Sequence, residues 1–165
     1  MKKIKINILK IKELSIATDI FSVFDDSKLS DLDYNKWKEF IESNSSYFIW
    51  YSDTESGKKF KNTIEKMSPE KRKMYQGLLE KYHCNAEYSE KKRHYLVNVT
   101  FYDELKYITI RFERRLKVDD IKLYYNMAKH IDAKLLYNGK TIIDENVIEE
   151  LENDTITQKM GGAKT

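Results

Sequence analysis

A single cysteine, Cys84, stands in the whole chain, so no internal disulfide can form. That excludes the disulfide-stapled secreted scaffolds and favours a reducing compartment. No apolar run approaches the roughly 18 residues that span a membrane. The N-terminal stretch alternates lysine with isoleucine where a signal peptide would carry an unbroken apolar segment. The expected location is cytoplasmic, with no membrane partner. One proline and five glycines predict mostly regular structure with few tight turns.

Chemical motifs are also scarce. The three histidines are His83, His94 and His130, and there is no Cys-x-x-Cys or His-x-x-x-His spacing. Zinc ligation normally needs such convergence. The acidic run Asp25 to Asp33 lacks the glycine and terminal glutamate of a calcium loop. No nucleophile elbow, phosphate-cradling glycine loop or dinucleotide fingerprint occurs. His83 and Cys84 are adjacent, and neighbours in a helix or strand point in different directions. They do not form a nucleophile–base pair. Cys84 reads instead as a semi-buried residue near a helix end. No catalytic residue, metal or cofactor is expected, and an enzyme is the third-ranked class.

What the chain does have is charge. Charged residues make up 35% of its 165 residues, yet the net charge is only +3. Polyanion binders usually show a larger excess. The distribution is uneven: Glu13 to Glu55 is mostly acidic, Lys58 to Arg93 mostly basic, and Asp144 to Asp154 acidic again. Such asymmetry can steer a charged partner.

The length fits one domain of roughly 100–200 residues, read here as 1–154 with a disordered tail over 155–165. Ile4, Ile6 and Ile8 alternate with polar residues and predict a half-buried strand over 3–11. Leu14, Ala17, Phe21 and Phe24 recur at helical spacing. Ser30 and Asp33 have capping-box-like spacing before a short helix carrying Trp37, Phe40 and Ile41. The bulky run Tyr47 to Tyr51 predicts a strand covered on both faces. Ser68-Pro69-Glu70 is a helix start, and the helix is expected to reach about Tyr82 with Met74, Leu78 and Leu79 inward. Two alternating runs, Tyr95 to Tyr102 and Tyr107 to Glu113, predict an antiparallel hairpin turning at Asp103-Glu104. Val118, Ile121, Tyr125, Ala128 and Ile131 mark another helix, Asn138-Gly139 a tight hairpin, and Asp144 the cap of a last helix. The sum is an α+β fold, a mainly antiparallel sheet with helices packed on one face.

Two kinds of partner fit this pattern. Lys71, Arg72 and Lys73 precede Tyr75, and Lys91, Lys92 and Arg93 precede Tyr95. Basic groups beside aromatics can contact phosphates and stack bases, so a nucleic-acid-binding accessory domain is the alternative reading. The leading reading is a non-enzymatic protein-binding module, since tyrosine and arginine dominate binding hot spots. In architecture alone the layout resembles small immunity-type and phage-encoded inhibitor proteins of bacteria. That resemblance implies occlusion of a partner protein and assigns no residue.

Overall fold

The computed structural model describes residues 5–162, with side chains through 157. Seven strands form one antiparallel sheet: β1 (Glu13–Ala17), β2 (Phe48–Trp50), β3 (His83–Ser89), β4 (His94–Tyr102), β5 (Tyr107–Phe112), β6 (Lys134–Tyr137) and β7 (Thr141–Ile142). Their spatial order is β2-β3-β4-β5-β1-β6-β7. The helices are α1 (Tyr34–Ser43), α2 (Glu55–Glu65), α3 (Pro69–Tyr75), α4 (Val118–His130) and α5 (Glu145–Gly162).

The β4–β5 hairpin is the predicted one, with Val99 opposite Ile110 and Tyr102 opposite Tyr107. Its alternation buries Val97, Val99, Phe101, Ile108, Ile110 and Phe112 on one face. Trp37 and Ile41 from α1, Ile121, Tyr124 and Met127 from α4, and Ile148 and Leu151 from α5 complete that core. Each fully buried residue of this size stabilises the fold by roughly 1.5–3 kcal/mol relative to exposure. The expected α+β class is what forms, with α1, α4 and α5 layered on this face of the sheet.

Several elements differ from the sequence-based expectation. The strand expected over 3–11 is instead a 3-10 turn at Ile8–Lys10, capped by the Asn7 side chain accepting from the Leu9 amide. Ile4 lies outside the described residues. The strand comes later, at β1, inside the stretch expected to be helical. Leu14 and Ile16 are fully buried there at period two, and β5 and β6 pair with them on either side. Tertiary pairing on both edges overrides the accidental helical spacing.

Asp33, rather than Ser30, caps α1 by accepting from the Lys36 amide at 3.1 Å. The aromatic run at 47–51 supplies only a three-residue edge strand, with Phe48 and Trp50 buried and Ile49 between them partly exposed. Ser68 and Pro69 start α3 as expected, but it ends at Tyr75 and a 3-10 turn follows. Met74 and Leu78 are exposed rather than inward. α5 runs through the stretch 155–162 that was expected to be disordered. The Thr155 and Thr157 hydroxyls donate to the carbonyls of Leu151 and Asn153 at 2.9 Å each, and no helix breaker precedes Gly161. Residues 163–165 lie outside the described residues.

Turns in this glycine-poor chain hold Arg93, Lys106, Asp132 and Asn138 in the left-handed region, and Glu87 adopts it within β3, with φ between 53° and 64°. Asn138 and Gly139 lie at positive φ in the β6–β7 turn as predicted, but pairing of Tyr137 with Thr141 makes the loop three residues long rather than two.

Candidate functional site

The second face of the sheet is mostly polar, because the strand positions between the core residues are Ser15, Asn85, Asn98, Thr100 and Thr109. Two segments cross it at opposite corners, and each builds a feature that the core-side helices do not.

The first corner is covered by the loop from residue 18 to residue 30. A small satellite core of Ala17, Leu29 and Leu136, with Phe21 and Tyr107 against it, roots this loop. The Phe21 amide donates to the Gly139 carbonyl at 2.9 Å. Thr18 closes the base by accepting from the Ser30 amide at 2.8 Å. Ends this close make it a compact Ω-like loop. At its tip Ser22 and Asp25 exchange both backbone hydrogen bonds, at 2.9 and 3.2 Å. The Ser22 hydroxyl also accepts from the Asp25 amide at 3.1 Å. The two residues inside that turn, Val23 and Phe24, are each 98% exposed. Asp25 accepts the Ser27 hydroxyl at 2.6 Å. That bond holds its carboxyl below the usual carboxylate range.

The opposite corner is covered by α2. Thr54 caps it, accepting from the Gly57 amide at 3.0 Å and donating to the Tyr51 carbonyl at 2.6 Å. Gly57 is required by this close approach: a Cβ there would stand 1.9 Å from the Tyr51 oxygen. The tight turn lays α2 beside β3 and β4 and leaves a hollow of about 880 Å³ between them.

Asn85 and Asn98 are directly opposite each other across β3 and β4 and line the hollow. The Asn85 amide donates to the Asn98 side-chain carbonyl. The Asn85 Oδ1 is buried and accepts no hydrogen bond from the described residues. Tyr51, Tyr88 and Tyr95 supply aromatic walls; Tyr88 and Tyr95 meet edge to face at 5.2 Å. Burial raises the Tyr95 phenol above its ordinary value. Lys59 and Arg93 bring positive charge, and Glu55 and Glu90 bring negative. His94 contacts the Glu113 carboxylate through Nε2, and its Nδ1 lies 3.0 Å from the Lys92 carbonyl. A smaller hollow of about 230 Å³ shares Tyr51, Asn85 and Asn98 and continues toward His83, Thr100 and Leu78. His83 Nδ1 lies 3.2 Å from the Thr100 hydroxyl, and burial lowers its pKa.

The residues singled out from sequence divide between two places. Arg93 and Tyr95 line the larger hollow. Lys91 and Lys92 stand beside them in the β3–β4 turn, where the Lys92 ammonium donates to the Glu113 carbonyl at 3.3 Å. Lys71, Arg72, Lys73 and Tyr75 are on α3 and do not line the hollow. The Arg72 guanidinium donates to the carbonyls of Glu65 and Met67, closing the end of α2. Tyr75 meets Phe60 edge to face. Sequence reasoning missed Tyr51, Lys59, Asn85, Tyr88 and Asn98, because β3 was not recognised as a strand. Cys84 correspondingly sits in mid-strand on the core face, fully buried, rather than near a helix end.

A third cluster is structural. Arg114 donates to Glu87 at 2.5 and 2.8 Å and to both oxygens of Asp120 at 2.7 and 2.8 Å. Asp120 also accepts from the Lys117 amide. This ties the start of α4 to β3. Tyr47 joins through Glu87, and burial pushes its phenol up to about 12.

No group of three or more metal-binding side chains occurs among the described residues. No helix among them is long and apolar enough to cross a membrane. No family model, curated protein or solved structure matches the chain.

Proposed function

We propose that this chain is a non-enzymatic binding protein that acts in the cytoplasm by docking on a partner protein and occluding it, as an inhibitor does. One observation carries the reading: Val23 and Phe24 project fully into solvent from a turn that is hydrogen-bonded at its tip and rooted in its own satellite core. Apolar side chains buried nowhere cost the isolated protein solubility and contribute nothing to its fold. A rigid display of two of them lowers the entropy cost of binding, which is how preorganised loops gain affinity. An aromatic anchor entering a partner's pocket is the usual form of a hot spot.

The surroundings of the tip define the partner's chemistry. Asp25 and Asp26 lie at the loop beside Lys28, while Asp19 and Asp31 at its base pair with Lys134 and Lys106 at 3.9 and 4.0 Å. A partner with an apolar pocket flanked by a basic residue is complementary to the tip, and Asp25 and Asp26 would speed its association.

The test places a photo-crosslinking benzoylphenylalanine at position 24 and irradiates the protein in extract of the source cells. The expected result is one saturable adduct that protease destroys and nuclease does not. Unlabelled wild-type protein should compete it away, and the Val23→Ser/Phe24→Ser double variant should not. An adduct that nuclease destroys, or none that wild-type protein competes, would overturn the docking reading.

A further inference from the structure

Charge is shared unevenly between the parts of this chain. From Lys58 to Glu80, through α2, α3 and the 3-10 turn that follows, seven lysines and arginines stand against three glutamates. That excess is larger than the net charge of the whole chain. The docking loop, with Asp25 and Asp26, lies on the acidic side of the division.

α3 is the part of the basic segment that the fold uses least. It buries none of its seven residues. A helix so short does not persist by propensity alone. It is tied to α2, where Arg72 donates to the carbonyls of Glu65 and Met67 and Tyr75 meets Phe60 edge to face. Arg72 and Tyr75, three residues apart, therefore share the side that faces α2. Met74, two residues past Arg72, falls on the opposite side, and it is 76% exposed. Lys71 and Lys73 flank it, and Glu70 lies one turn before it. Neither lysine stands in an ion pair among the described residues. Leu78, in the turn that follows, is half-exposed at the edge of the smaller hollow.

We infer that α3 seats this protein on an anionic lipid surface, with Met74 entering the headgroup boundary and Lys71 and Lys73 meeting the acidic headgroups. An apolar side chain between cations is the pattern of an interfacial helix, whose binding adds buried apolar area to attraction for anionic lipid. Glu70 tempers that attraction without reversing the sign of the segment. Nucleic acid answers the charge but not the rest. Tyr75, the ring that would stack a base, is turned to Phe60, and the Arg72 guanidinium is held by carbonyls. A protein partner needs complementary shape, whereas a deformable lipid surface accepts a convex helix that lines neither hollow. The same surface repels Asp25 and Asp26, so the docking loop stays free for its own partner. The expectation of no membrane partner rests on the absence of a spanning run, which a surface contact does not need.

Flotation of the full chain over a lipid titration tests the inference, with vesicles of phosphatidylcholine alone and of phosphatidylcholine mixed with phosphatidylserine. The protein should float with the mixed vesicles and not with the neutral ones, and added salt should weaken the binding. Lys71→Glu/Lys73→Glu should lower partitioning at least about a hundredfold. Met74→Ser, which leaves every charge in place, should lower it about tenfold. Both variants should melt as the wild type does, because these positions are exposed. Val23→Ser/Phe24→Ser should float as the wild type does, so failure here is separate from failure of the docking reading. Equal flotation of Met74→Ser and wild type would overturn the inference, as would absence of flotation with the mixed vesicles. Retention of a random-sequence oligonucleotide where those vesicles fail would assign the segment to nucleic acid instead.

Discussion

Phe21 stacks on Tyr107 with ring centroids 4.9 Å apart and planes 21° from parallel. This contact clamps the docking loop to β5, whereas Phe24, three residues on, touches nothing that hides it from solvent. The two phenylalanines should therefore behave oppositely. Phe21→Ala should destabilise the protein by about 2 kcal/mol, below the range for a fully buried phenylalanine because the ring is half-buried. Phe24→Ala should stay within about 0.5 kcal/mol of wild type. Urea unfolding measures both, and equal losses would show that the loop is held differently.

Gly139 supports the same loop from below. Its φ is +70°, and a Cβ there would stand 2.5 Å from the Phe21 carbonyl oxygen. Gly139→Ala combines a left-handed alanine with a backbone clash, a cost of about 2 kcal/mol. Limited proteolysis should then cut near Val23-Phe24 faster than in wild type. An unaltered cleavage rate would contradict the anchoring.

Arg114 is shared between Glu87 and Asp120, and the side chains of Arg114 and Asp120 are only 17% and 10% exposed. Removing the cation leaves Asp120 poorly solvated. Arg114→Met should cost about 3 kcal/mol, the scale for breaking a buried pair. The denaturation midpoint reports it, and a loss below about 1 kcal/mol would mean that water replaces the guanidinium.

His83 gives an acid-side dependence. Burial disfavours its charged form, so its pKa in the folded chain lies below the ordinary 6.5. As pH falls through 6.5 the unfolded chain takes up the proton first. Stability is then fully present above that pH and declines below it, until the folded histidine also titrates. His83→Gln should flatten the decline between neutral and mildly acid pH. Melting temperatures of the two proteins across that range decide the matter, and parallel curves would remove His83 as a cause.

Cys84 is fully buried on the core face of β3, and burial pushes its thiol well up. The thiolate is the reactive species. Native protein should consume almost no disulfide reagent over minutes, and unfolded protein should consume one equivalent per chain. Rapid native labelling would place the thiol within reach of solvent.

The β4–β5 hairpin, α4 and the Asn138-Gly139 turn were legible because each rests on local chemistry, a clean period or a residue with one favoured turn conformation. β3 was not. His83 to Ser89 contains no β-branched residue, and its strand form comes from pairing with β2 and β4. The hollow was hidden with it, since Asn85 and Tyr88 reach Tyr51, Lys59 and Asn98 only once that strand exists. The docking loop was obscured by coincidence: Leu14, Ala17, Phe21 and Phe24 share helical spacing, yet the first two belong to β1 and the last two to the loop. Met74 and Leu78 on and after α3 show the converse, an apolar spacing that finds no partner layer among the described residues.

Four turns hold Arg93, Lys106, Asp132 and Asn138 in the left-handed region. Glycine would relieve roughly 1 kcal/mol at such a position. The protein therefore carries headroom: Lys106→Gly and Asp132→Gly offer a sturdier scaffold for engineering. At Arg93 the same exchange would strip a cation from the rim of the hollow. Robustness and surface chemistry thus compete at Arg93 and can be tuned independently at Lys106 and Asp132.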